Sequence, residues 1–102
     1  MNIKHIQILS EAEIELEDGK SFYEIQERGV GEYFWDSLIS DIESLIIYAE
    51  VHIKEYGYYR MPSKRFPYSI YYYINGNAVY VVAMLPERRN PIWIRSKLNI
   101  KG

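Results

Sequence analysis

Residues 66–74 are Phe-Pro-Tyr-Ser-Ile-Tyr-Tyr-Tyr-Ile, and residues 78–85 are Ala-Val-Tyr-Val-Val-Ala-Met-Leu. Both stretches are rich in aromatic and β-branched residues, which favour β-strands. The tripeptide Asn75-Gly76-Asn77 separates them, and Asn-Gly between two such runs is the strongest short signal of a β-hairpin. Because both strands are apolar on both faces, we predict that they lie centrally in a sheet, with a helix pair on at least one side.

Two amphipathic helices are predicted upstream of this hairpin, after a short strand over residues 3–9. Ser10 offers an N-cap for the first helix, with Glu13 at capping-box spacing. The second helix is predicted from about Glu32 to Glu50. The inner stripes are Ala12, Leu16, Gly19, Tyr23 and Gln26 in the first helix and Phe34, Leu38, Ile42, Leu45 and Ala49 in the second, widened by Trp35, Ile39 and Ile46. The two glycines of residues 28–31 allow positive φ and break the helix, so we expect an antiparallel helical hairpin.

Glycine and proline mark the remaining boundaries. Gly19 inside the first stripe costs about 1 kcal/mol relative to alanine, so we expect a neighbouring element to approach it closely. Gly57 and Pro62 mark the change to extended structure. A basic loop after Pro86 leads to a short helix or strand around residues 93–98. The order β-α-α-β-β-β predicts one α+β domain over residues 1–102, a helical hairpin packed on a mostly antiparallel sheet.

Composition limits the class of protein. A chain of 102 residues with 48% hydrophobic residues has enough apolar side chain for one core. No run of 18 apolar residues and no signal peptide is present, so we expect no membrane segment. The chain has no cysteine, which is compatible with the cytoplasm, where we place it. No Ser/His/Asp set, metal-ligand spacing or phosphate-binding glycine loop occurs, so we expect no cofactor and no metal site.

The net charge of −2 conceals an asymmetry between the two halves of the chain. Residues 1–51 carry three cations and twelve acids, a net −9, and residues 52–102 carry nine cations and two acids, a net +7. The second half therefore either presents a basic surface to an anionic partner or is balanced by the acidic helices within the fold.

Residues 65–93 form the most distinctive part of the sequence. They contain the Arg65-Phe66-Pro67-Tyr68 strand, the Val-Val-Ala-Met-Leu strand over residues 81–85 and the paired arginines Arg88-Arg89 with Asn90-Pro91 and Trp93. This pattern resembles that of the RelE/ParE superfamily of toxins. Weaker agreement extends through the first helix, so the resemblance covers nearly the whole chain.

The resemblance implies the toxin of a type II toxin–antitoxin (plasmid stabilisation) system, which inhibits growth and is neutralised by a cognate antitoxin protein. ParE-like members act on DNA gyrase without known catalytic chemistry, and RelE-like members cleave messenger RNA on the ribosome. A homodimer or a toxin–antitoxin heterotetramer is the expected assembly.

Two departures favour the ParE-like branch. RelE-like nucleases usually have an arginine where this chain has Ser69, and many members have a histidine where it has Pro86. The histidines His5 and His52 lie outside the matching region. Since RNA cleavage needs groups that move protons, we expect function by binding, with ribosome-dependent endonuclease as the alternative.

The candidate site residues follow from the resemblance and from the charge pattern. For catalysis, the candidates are Arg65, Tyr68, Arg88 and Arg89; for binding a target or antitoxin, they are Arg65, Arg88, Arg89, Trp93, Arg95, Trp35 and Ile39. The arginines could instead lie in a solvated turn or pair with the acidic helices, and Trp93 could close a core edge. Trp35 and Ile39 are either an exposed apolar strip for an antitoxin segment or buried core.

Overall fold

The structure is a computed structural model, and it describes residues 2–101, with side chains for residues 2–99. Within this range the elements are β1 His5–Ile8, α1 Ser10–Gln26, α2 Val30–Glu43, α3 Leu45–Tyr48, β2 Lys54–Glu55, β3 Tyr58–Pro62, β4 Tyr68–Asn75, β5 Ala78–Pro86 and α4 Pro91–Lys101. The predicted α+β architecture is confirmed, and β2, α3 and α4 add to the predicted order.

The strands form one sheet in the order β1-β5-β4-β3-β2. β1 pairs with β5 in parallel, and the other neighbours are antiparallel. The predicted hairpin joins β4 to β5, and Gly76 has a φ of 63°, as the first central residue of a type II′ turn requires. Tyr71 pairs with Ala83 and Tyr72 with Val81, so Val82 is an additional residue that bends β5.

Helices α1 and α2 form the predicted hairpin on one face of the sheet. Their inner residues Ala12, Leu16, Phe34 and Leu38 are almost inaccessible and pack against the apolar side chains of β4 and β5. Gly19 permits the close approach that its position predicted, because a Cβ there would lie 2.5 Å from the Phe34 ring. This face therefore holds the larger part of the core.

The opposite face of the sheet carries α4. Ile94 and Leu98 are buried against Tyr71 and Leu85, with Trp93 packed at the margin of this second cluster. The terminal segment, for which the sequence allowed a helix or a strand, is thus a helix. The central strands are covered on both faces, which explains why the sequences of β4 and β5 are apolar on both faces.

Several local predictions are wrong, including the inward positions expected of Gln26 and Ile46, which are exposed. The first helix already includes Ser10, and its N-cap is Leu9 without a side-chain hydrogen bond, so there is no capping box. The second helix is interrupted at Ser44. Gly29 has the positive φ expected of the connection, but Gly31 is a helical residue without one.

Candidate functional site

A cleft of about 700 Å³ opens where α1 and α4 meet the paired ends of β4 and β5. This volume lies within the usual range for small-molecule or peptide-binding pockets. The residues that line the cleft are Glu15, Asp18, Gly19, Phe22, Tyr23, Gln26, Pro67, Tyr68, Met84, Leu85, Pro86, Arg88, Arg89, Trp93 and Lys97. The structure therefore brings together Tyr68, both paired arginines and Trp93.

One wall of the cleft is cationic and contains a tryptophan. The Arg89 guanidinium lies 4.5 Å from the centre of the Trp93 ring, and the Lys97 ammonium lies 5.6 Å from it. Among the described residues, neither Arg88 nor Arg89 forms an ion pair. The alternative that these arginines pair with the acidic helices is thus not realised, and their charge is available to a ligand.

The turn that carries the two arginines is held at both ends. Before it, Glu87 accepts a 3.0 Å hydrogen bond from Arg60 of β3 and donates its N–H to the Pro67 carbonyl over 2.9 Å. After it, the Asn90 side chain accepts a 2.7 Å bond from the Ile92 N–H. Asn90 is thereby the N-cap of α4, and the proline that follows it suits the first helical position.

Replacing Asn90 by alanine should lower the free energy of unfolding by about 1 kcal/mol, because an N–H of the first turn of α4 loses its acceptor. Urea unfolding followed by circular dichroism measures this change. Asn90→Asp should retain stability, and Ser96→Ala on the exposed side of the same helix should change it by less than about 0.5 kcal/mol. An Asn90→Ala protein as stable as the wild type would show that the cap contributes nothing.

The opposite wall comes from α1 and is acidic and aromatic. Asp18 and Phe22 lie one turn apart on the helix edge beside the inner stripe, and Phe22 is 54% exposed. Glu15 accepts a 2.9 Å hydrogen bond from the Met84 N–H of β5, which fixes α1 against the sheet. The cleft is therefore electrostatically divided, with carboxylates on one side and cations on the other.

Two tyrosines form the inner end of the cleft. Burial raises the pKa of Tyr68, and the nearby Tyr23 and Asp18 raise it further, whereas Arg89 lowers it. Burial also raises the pKa of Tyr23, although the positive charge of Arg88 lowers it. Both phenols are consequently protonated at neutral pH, so they are poor bases and are able to donate hydrogen bonds.

The other candidates lie outside the cleft. Arg65 is exposed in the loop between β3 and β4, and Arg95 lies over the Tyr56 ring at 5.5 Å. Trp35 and Ile39 are half-buried and pack against the core between the helical hairpin and the sheet. The Lys20 ammonium lies 5.2 Å from the Trp35 ring centre. The pair is therefore neither a fully exposed strip nor deeply buried, and the C-terminal helix packs in the other cluster and does not cover it.

The positions that departed from the family pattern also have defined places. Ser69 is 1% exposed and does not line the cleft, whereas Pro86 does. His52 lies elsewhere, with its Nδ1 2.6 Å from the Tyr72 hydroxyl, and burial lowers its pKa. In residues 2–99, no group of three or more histidine and carboxylate side chains could hold a metal ion. None of the described helices is long and apolar enough to span a bilayer.

Sequence reasoning missed the acidic wall. Glu15, Asp18 and Phe22 recur at steps of three and four residues, so a second helical edge was visible beside the predicted inner stripe. Lys97 also lines the cleft, whereas the candidate Arg95 does not.

No protein-family model and no curated protein matches this chain. A chain of a solved structure described as "Chromosomal ParDE TA system from P. aeruginosa" is similar to it, with a TM-score of 0.73 and 11% sequence identity. The similarity covers 82% of this chain and 96% of that one. An identity this low shows a shared fold and supports no residue-by-residue transfer. The chain thus shares the fold of that ParDE chain, in agreement with the fold that the resemblance implied.

Proposed function

We propose that this protein is the toxin of a type II toxin–antitoxin system, which inhibits growth and is neutralised by a cognate antitoxin. The observation that supports this most is the fold similarity over 96% of a chain from a ParDE structure. The cleft agrees with it, because a surface with unpaired cations beside exposed aromatic side chains is suited to a macromolecular partner.

The proposed mode of action is binding, with DNA gyrase as the target. Within the cleft, Tyr68 and Tyr23 are held protonated by burial, and neither described histidine lines it. A base in the cleft would then have to be Asp18 or Glu15, and Glu15 already accepts a backbone hydrogen bond. Arg88, Arg89 and Trp93 instead form a wall that can contact an anionic surface through charge and stacking.

The antitoxin is proposed to cover the same cleft. A segment with acidic residues would satisfy Arg88 and Arg89, and its apolar side would pack on Phe22, with Trp35 and Ile39 as further candidates for apolar contact. Such segments are often disordered until bound, so their ordering cost must be offset by this apolar burial.

Expression without antitoxin should arrest growth, and the purified protein should inhibit supercoiling by purified gyrase. Arg88→Ala with Arg89→Ala should weaken inhibition at least about tenfold, since losing charge-assisted contacts of this kind costs about 1.5–3 kcal/mol each. The matched control is Lys4→Ala with Arg28→Ala, two exposed cations outside the cleft, which should inhibit like the wild type. Gyrase that is unaffected at concentrations well above cellular levels would refute the proposed target.

The second candidate is a ribosome-dependent messenger-RNA endonuclease. It is favoured by one feature, the presence of Arg88, Arg89 and Tyr68 around one cleft, because cations of this kind stabilise a phosphate in the transition state; Arg65 would have to approach from the adjacent loop. Primer extension on ribosome-bound messenger RNA separates the candidates. New 5′ ends that disappear in the Arg88→Ala, Arg89→Ala protein would support the endonuclease and count against gyrase.

A further inference from the structure

The segment between helix α2 and the edge strand β2 exposes many apolar side chains. Ile46, Ile47, Tyr48, Val51 and Ile53 are 45%, 75%, 54%, 70% and 65% exposed. We name these five side chains the apolar ridge. A cluster of large apolar groups on the surface of a small domain is a mark of an interaction site, whereas isolated exposed groups need no explanation.

The ridge faces outward because its neighbours are anchored to the core. Leu45 is inaccessible, and Ala49, at the C-cap of α3, packs against the core between the helices and the sheet. The residues between them, 46–48, remain about half exposed or more. His52 then turns inward to the Tyr72 hydroxyl, 2.6 Å from its Nδ1. Val51 and Ile53, on either side of His52, are thereby directed to solvent.

In the described part of the chain, nothing covers the ridge. Helix α4 packs on the opposite face of the sheet, and no ridge residue lines the cleft between α1 and α4. The ridge is therefore a second surface, separate from the one proposed to bind the target and the antitoxin.

The composition of the ridge indicates which kind of partner binds it. Between residues 44 and 53 the sequence is Ser-Leu-Ile-Ile-Tyr-Ala-Glu-Val-His-Ile, so Glu50 is the single acid and no lysine or arginine occurs. A strongly acidic or basic partner would find no complementary charge here. An identical apolar ridge is self-complementary across a two-fold axis. We propose that the ridge is the interface of a homodimer of this chain.

The expected strength of the dimer follows from its area. Side chains of this size at such exposures carry on the order of 100 Å² of accessible surface each. Two facing ridges would then bury about 1,000 Å² in total, at the lower bound of specific interfaces. The dimer should accordingly be weak and should form at micromolar or higher concentrations.

Sedimentation equilibrium of the full chain, synthesised in vitro without antitoxin, tests the proposal between about 1 and 200 µM, a range that brackets a weak interface. The wild type should pass from monomer to dimer across this range. Ile47→Glu with Val51→Glu should remain monomeric, because two charges would be buried per copy. The matched control, Ile14→Glu with Ile25→Glu on exposed positions of α1, should dimerise like the wild type.

Every outcome decides the proposal. A wild type that stays monomeric overturns it, and so does a ridge variant with an unchanged dissociation constant or a control that also dissociates. If thermal melting shows that the glutamate variant is unfolded, Ile47→Ser with Val51→Ser replaces it, and the same outcomes apply. An isolated monomer whose ridge variant fails to bind antitoxin would reassign the surface to that partner. Because dimerisation is read on the isolated chain, its result is independent of gyrase inhibition.

Discussion

Replacing Gly31 by alanine is expected to lower the free energy of unfolding by about 3 kcal/mol, even though alanine is the better helix former. A Cβ at Gly31 would lie 2.6 Å from the Lys20 carbonyl oxygen and 2.8 Å from the Glu24 Cβ. The first contact is with backbone, which cannot rotate away. The Glu24 carboxylate also accepts the Gly29 and Gly31 N–H groups over 3.0–3.1 Å, so a displaced Glu24 loses these hydrogen bonds.

Thermal unfolding followed by circular dichroism measures the effect, which should be a fall in Tm of roughly 15 °C for a domain of this size. Ser40→Ala in the exposed part of α2 is the control, and its Tm should change by only a few degrees. Gly29→Ala separates the effect of a steric clash from that of backbone strain. Gly29 has a φ of 91°, but a Cβ added there would have no neighbouring atom within 4 Å. A Gly31→Ala protein with the Tm of the wild type or higher would contradict the close packing of α1 on α2.

The fold was predictable where the sequence carries a local signal. The aromatic and β-branched runs on either side of Asn75-Gly76 predict the hairpin, and the apolar stripes of α1 and α2 predict the helical pair. The interruption of the second helix at Ser44 could not be predicted, because the apolar stripe continues through Leu45 beyond it. At this point the Ser44 hydroxyl donates a 2.6 Å bond to the Asp41 carbonyl, a local contact of the kind that competes with helical backbone bonds.

Long-range packing explains what could not be predicted about the site. Sequence reasoning found Arg88, Arg89 and Trp93 because they follow a predicted strand and resemble a known pattern. The edge of α1 that faces them depends on the Glu15–Met84 hydrogen bond, which joins residues 69 positions apart. Arg65 shows that proximity to Tyr68 in sequence does not by itself bring a residue into the cleft lining.

Reversing both cations of the cleft wall, Arg88→Glu with Arg89→Glu, should slow association with the antitoxin by about tenfold or more at low salt. This expectation rests on the proposed acidic antitoxin segment. Both arginines lack an ion pair among the described residues, so their field reaches solvent and accelerates the encounter with an anionic segment. Salt screens that field, because the Debye length falls from about 10 Å at 0.1 M to about 3 Å at 1 M. The difference from wild type should shrink accordingly at about 0.5 M salt.

Stopped-flow association rates across a salt series measure this effect, and Lys4→Glu with Arg28→Glu is the control of equal net charge. Because these two cations are exposed away from the cleft, the control should slow association less than the cleft variant. Equal slowing would mean that net charge, not the cleft wall, guides the antitoxin, and rates independent of both variants and salt would remove electrostatic steering altogether. Phe22→Ala tests the apolar contribution separately: it should leave association nearly unchanged and raise the dissociation rate, since short-range burial acts after the encounter.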